Sequence, residues 1–145
     1  IYGDGPYKGH LEQKASIISK NIKFFGAIPF VEVPQIMQNM DILIYTMSVK
    51  NNFGSSTKLC EYMAANKPIV ASSTPHVKLL FGNEEKGLLY ESSNHKMMAA
   101  KIIELLDDPK KSEKLANNAR VEVVTSHTWD SKVKLILSHF DANNN

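Results

Sequence analysis

A chain of 145 residues, 43% hydrophobic and 22% charged, can bury one core without disulfides and lies far from the composition of disorder. With 17 Lys and Arg against 15 Asp and Glu, its formal charge of +2 is too small to recruit nucleic acid or an anionic membrane by bulk electrostatics. Cys60 has no second cysteine to pair with, five scattered His give no zinc-ligand spacing, and no apolar run reaches the ~20 residues of a membrane span, so a cytoplasmic protein without a metal centre is expected.

The opening IYGDGP reads as the end of a buried strand entering a turn, with no initiator Met or leader, and a fragment of a longer protein is expected. Gly3 and Gly5 begin a GxGxxG fingerprint, but Lys8 stands at the third position and Pro6 in the turn, so a tight turn is expected there. A helix is predicted over 7–19. Apolar runs follow at 22–26 (IKFFG, closed by Gly26), 41–46 (DILIYT), 67–72 (KPIVAS) and 87–91 (GLLYE), with helices at about 34–39 and 57–65 between them. That alternation predicts βαβ units and an α/β, Rossmann-like fold, a parallel sheet with helices on both faces. Little polar alternation within the runs predicts interior strands.

Over 95–106, Met98, Ile102, Leu105 and Leu106 form a helical stripe that DDP at 107–109 terminates. The helix expected at 110–124 begins with Lys110, Lys111 and Lys114, a solvated face. In the one expected at 128–140, Trp129, Val133, Ile136 and Leu137 share a side, with Trp129 as core anchor. DANNN should fray, giving one domain over 1–140 and a tail at 141–145. His10, His76, His95, His127 and His139 have no nucleophile partner at a recognisable spacing and read as surface or packing residues.

Open parallel sheets bind ligands beyond the carboxyl ends of their strands, where loops lead into helix N-termini. Residues 47–56, MSVKNNFGSS, are polar and glycine-containing and deliver the chain to a helix near Thr57, a layout suited to phosphate. Leu59, Tyr62 and Met63 form the core stripe of that helix, and Thr57 and Glu61 lie four apart on the other side. Spacing alone leaves Glu61 either a solvated glutamate near the positive end of the dipole or a ligand contact.

EYMAANKPIVAS at 61–72 resembles the donor-binding signature of retaining GT-B glycosyltransferases, particularly family 4, a Glu-(any)-Met-Ala-(any)-(any)-Lys-Pro-(apolar)-Val-Ala segment. Further landmarks follow the family's order: GDGP at 3–6, IKFFGAI at 22–28, DILIYT at 41–46, KGLLYE at 86–91, LLDDP at 105–109, LANNAR at 115–120 and TW at 128–129. The resemblance spans nearly the whole chain and implies the C-terminal, nucleotide-sugar-binding half of a two-domain enzyme. It implies that Glu61 contacts the ribose and that the amides of Ser56, Thr57 and Lys58 hold the diphosphate beside Gly54. The Lys58 side chain is either a phosphate contact or solvated. Gly26 would lie beside the nucleobase, with Gly3 and Gly5 near the cleft.

The family carries a second glutamate eight positions earlier, contacting the donor sugar; Phe53 stands there, with Asn51 and Asn52 the nearest polar residues. A family variant with Ser-Pro-(any)-Lys-Leu before the retained glutamate resembles SSTKLCE at 55–61. The comparison also implies an absent acceptor half, an absent first strand lying between IYG and DILIYT, and an Arg and Lys from that missing segment. The implied reaction is metal-free sugar transfer to a glycan or lipid-linked glycan acceptor, at the cytoplasmic face of a membrane. A noncatalytic nucleotide-binding or scaffold relative is the alternative. The reading as a flavodoxin-like signalling domain fails because this chain lacks the cluster of strand-end aspartates that phosphoryl acceptance needs.

Overall fold

The apolar run IVAS forms a strand whose four residues are all buried, as a strand with covered faces requires. It lies at the middle of a computed structural model in which residues 1–47 and 57–143 are described, the side chains of 141–143 excepted. The chain divides into two compact units, Ile1–Ile36 and Met37–Asn145.

In the first unit α1 (Lys8–Ile18) buries Ala15, and the Ser19 N–H closes its end on Ala15 O at 2.9 Å. The expected strand at 22–26 does not form. Residues 1–3 and 23–26 run side by side in parallel through three backbone bonds, Ile1 N to Lys23 O, Phe25 N to Ile1 O and Gly3 N to Gly26 O. The last bond lands one residue beyond the parallel register set by the first two, so the pairing slips before a ladder can build. Tyr2 stacks on Phe25 with ring centroids 4.8 Å apart. A single 3-10 turn at Phe30–Glu32 leads into α2 (Val33–Gln38), whose end enters the second unit.

The second unit runs β1 (Leu43–Tyr45), α3 (Thr57–Ala64), β2 (Ile69–Ser72), α4 (Pro75–Phe81), β3 (Leu88–Tyr90), α5 (His95–Asp107), α6 (Pro109–Ser126) and α7 (Trp129–Asn143). The strands pair in parallel in the order β1-β2-β3, with Ile44 opposite Val70 and Ala71 opposite Leu89. Val70, Leu88 and Tyr90 pack with Leu105 of α5 and Leu115 of α6. Ile69 and Ala71 point the other way by strand alternation, the side on which Tyr45 meets Tyr62 of α3 edge-on at 6.4 Å. Among the described residues, only β2 is interior to this sheet. β1 and β3 are its edges, and Ile44 is 41% exposed, against the expectation of interior strands throughout.

Helix α4 was absent from the sequence expectations, although its punctuation is plain. Thr74 caps it, Pro75 starts it where no N–H is needed, and Gly82 closes it at φ +61°. Thr74 is fully buried and its Oγ1 accepts from Val77 N at 3.4 Å. Thr74→Ala should therefore cost about 1–2 kcal/mol, with Thr74→Ser recovering most of it, read as a shift in urea midpoint at unchanged slope.

Two other expectations fail for one reason. Leu106 is 57% exposed, because α5 turns Leu105 inward with Met98 and Ile102 partly buried beside it. Trp129 is 87% exposed rather than a core anchor, and Val133, Ile136 and Leu137 are exposed with it. Ser131, on the opposite side of α7, is its one half-buried position among the described side chains. Periodicity defines a face, but which face is covered depends on the neighbour.

Lys110 and Lys114 are solvated as expected, whereas Lys111 bonds Glu104 at 2.5 Å, and Lys101 joins that carboxylate at 3.3 Å. The Lys111 hydrogen bond holds the Glu104 carboxyl below its ordinary value, against the opposing effect of burial. A depressed folded pKa stabilises above the unfolded value, about 4.3, and that contribution disappears as pH falls through the folded value. Glu104→Gln should flatten the acid limb of stability against pH in this window, measured as urea midpoints from about pH 3 to about pH 7.

Candidate functional site

In a β1-α3-β2 unit with parallel strands, the helix begins at the carboxyl ends of the strands and points its unpaired N–H groups there. Those strand ends are tied together by hydrogen bonds, two of them through serine side chains. Met47 N donates to Ser72 Oγ at 2.7 Å, Ser92 Oγ donates to Met47 O at 3.2 Å, and Ser73 N donates to Tyr90 O at 2.7 Å. Ser72 is buried opposite Tyr90 in the ladder; burial pushes the Tyr90 phenol up, and the Ser72 hydroxyl partly offsets the rise. The chain therefore leaves β1 from a fixed point. These tethers were missed in the sequence, where the one signal is two serines directly after an apolar run.

Thr57 and Lys58 are exposed in the first turn of α3. Leu59 and Met63 are fully buried and Tyr62 half-buried, as their spacing predicts. Glu61 is half-buried, and among the described residues its carboxylate has no hydrogen-bond or ion-pair partner. Its charge is felt next door. Burial raises the Cys60 thiol, Lys132 draws it down and Glu61 pushes it up, leaving it raised overall. Burial also raises the Tyr62 phenol, with Glu61 and then Tyr45 adding to the shift. A half-buried carboxylate lacking a partner among the described residues, on a helix starting at the strand ends, can accept hydrogen bonds from a ligand hydroxyl pair.

The structure thus brings Thr57, Lys58 and Glu61 together on α3. Ser56 and Gly54 lie outside the described residues, as do Asn51, Asn52 and Phe53. Gly3, Gly5 and Gly26 belong to the first unit. Gly3 N donates to Gly26 O at 2.7 Å, and both glycines take positive φ, +130° and +74°. Gly26 is buried, and an added Cβ would stand 3.3 Å from Lys8 Nζ. Gly5 O accepts from Lys8 N at 3.0 Å, the tight turn expected at GDGP. Gly3 and Gly5 also line a hollow of about 190 Å³ with Tyr2, Tyr7, Lys8 and Leu11. In the second unit a cleft of about 380 Å³, lined by Asp41, Asn66, Pro68, Leu106 and Glu113 among others, opens where the strands begin. It lies at the opposite end of the sheet from the start of α3.

Residues 1–122 match the family described as "Glycosyl transferases group 1". Over 134 residues the chain is 24% identical to a GDP-mannose-dependent monoacylated alpha-(1-6)-phosphatidylinositol monomannoside mannosyltransferase of Corynebacterium glutamicum, covering 90% of this chain and 35% of that protein. Its fold matches Anabaena HepE in complex with UDP at a TM-score of 0.81 and 21% identity, over 97% of this chain and 40% of HepE. The C-terminal domain of the group 1 family protein LpcC from Francisella tularensis matches at a TM-score of 0.70 and 26% identity, over 85% of this chain and 63% of that one. The chain thus spans about a third of the curated relative's length. Its α/β architecture is that of a GT-B C-terminal domain. Taken with the parallel sheet and the helix that starts at its strand ends, these matches show that the chain belongs to the glycosyl transferases group 1 family.

Proposed function

We propose that this chain is the donor-binding part of a retaining, family 4 hexosyltransferase that takes a nucleotide diphosphate sugar. The remainder of the longer polypeptide binds a glycan or lipid-linked glycan acceptor, with the enzyme cytoplasmic and peripheral at the membrane. Glu61 carries the reading: a half-buried carboxylate without a partner in the described residues, one turn inside a helix that starts at the strand ends. Glu61 accepts from the ribose hydroxyls. The amides of Ser56, Thr57 and Lys58, with Gly54 allowing close approach, hold the diphosphate. No metal is required, because oriented N–H groups at a helix start stabilise the departing diphosphate without reorganising as the bond breaks. Relatives support the donor class: HepE is seen in complex with UDP-glucose, and the corynebacterial enzyme is GDP-mannose-dependent.

Titration calorimetry with UDP and with GDP, on the wild type and on Glu61→Ala, tests the assignment. Absence of heat from both nucleotides with the wild type would remove it. A noncatalytic nucleotide-binding relative is the second reading, favoured by Phe53 standing where the family carries its sugar-contacting glutamate. Sugar transfer by the full-length protein separates the two.

A further inference from the structure

The chain has one arginine, and among the described residues it pairs with no carboxylate. Arg120, on α6, donates from Nη1 to the carbonyl of Ala64, the last residue of α3 and 56 positions away in sequence. The next carbonyl, that of Ala65, accepts from Nε2 of Gln38 at 2.8 Å, across 27 positions. The final carbonyls of a helix have no intrahelical donor and carry the negative end of its dipole. Here Arg120 takes the last carbonyl of α3 with a full charge, and Gln38 takes the carbonyl just beyond it.

Leu59 and Met63 are buried in the core, and such contacts are non-directional: they fix depth better than axis. A planar guanidinium on a carbonyl is directional, more so than an ammonium on its flexible stem. The lever is short. Eight residues of helix span about 12 Å, so a tilt of about 5° at one end moves the other by about 1 Å. A displacement of that size can cost about 100-fold where groups must meet a reacting ligand.

We propose that Arg120 is a positioning residue: by gripping the Ala64 carbonyl it sets the axis of α3 and thereby aims the Thr57 and Lys58 amides and the Glu61 carboxylate at the diphosphate nucleotide. This inference rests on the donor-binding reading above. Arg120 stands at the far end of the helix and acts through it.

The test compares wild type, Arg120→Met and Arg120→Lys in the full-length protein, titrated with UDP and GDP and with their monophosphates, with thermal unfolding measured alongside. Arg120→Met should weaken diphosphate binding about tenfold and monophosphate binding clearly less, and Arg120→Lys should restore part of the difference. A purely structural role predicts equal losses for both ligand classes, tracking stability, and that result overturns the proposal. So does wild-type affinity in Arg120→Met. If that variant does not fold, Gln38→Leu replaces it, and the same selective loss is expected at about threefold; no selectivity there also overturns the inference. Wild type that binds neither nucleotide removes the donor reading and this inference together, whereas wild-type binding untouched by Arg120→Met removes this inference alone.

Discussion

Glu61→Ala should weaken nucleoside diphosphate binding by one to two orders of magnitude while leaving the fold intact. A hydrogen bond to a charged group contributes about 1.5–3 kcal/mol, and about 1.4 kcal/mol is tenfold in affinity. The native helix does not need the side chain. Glu61 makes no side-chain bond among the described residues, and alanine has the higher helix propensity, so thermal stability should hold or rise slightly. Glu61→Gln keeps the shape and one acceptor oxygen without the charge and should fall between the two. A local readout checks that the substitution acts electrostatically. Glu61 pushes the Cys60 thiol and the Tyr62 phenol upward, so both should titrate lower in either variant. Unchanged binding with lowered Cys60 titration would mean that the carboxylate faces solvent and serves no ligand.

The largest stability effect should come from Gly87→Ala. Gly87 is buried just before β3, and a Cβ there would stand 2.3 Å from Phe81 Cε2, 2.9 Å from Phe81 Cζ and 2.9 Å from Ile69 O. Phe81 is fully buried, so its ring cannot swing into solvent. Ile69 O belongs to β2, and moving it disturbs the β2–β3 ladder. Overpacking costs typically about 1–3 kcal/mol, and a backbone clash places this site at or above the top of that range. For a chain of this size the loss corresponds to a fall of about 10 °C in melting temperature. Phe81→Leu in the same background should return part of the loss, since it relieves the ring contacts but leaves Ile69 O in place. The double-mutant cycle should therefore give a favourable coupling.

The nature of each element was legible where its cause is local. Apolar spacing every three to four residues located α1, α3, α5, α6 and α7 to within a few residues, because helical periodicity depends only on near neighbours. The run at KPIVAS announced a covered strand for the same reason. Leu59 and Met63 fell on the buried side of α3 as their spacing required. The peptide that carries Glu61 was recognisable because its chemistry is contiguous in the chain.

What sequence alone determined about this protein is its alternation of helix and strand, its family and the helix on which its candidate carboxylate rides. Tertiary structure decided the rest. It turned Trp129 outward, set β1 and β3 at the edges of the three-stranded sheet, let the pairing of residues 1–3 with 23–26 slip, and joined Arg120 to Ala64 and Met47 to Ser72. Those outcomes depend on partners tens of residues away, and a contact between distant elements leaves no periodic trace in either one.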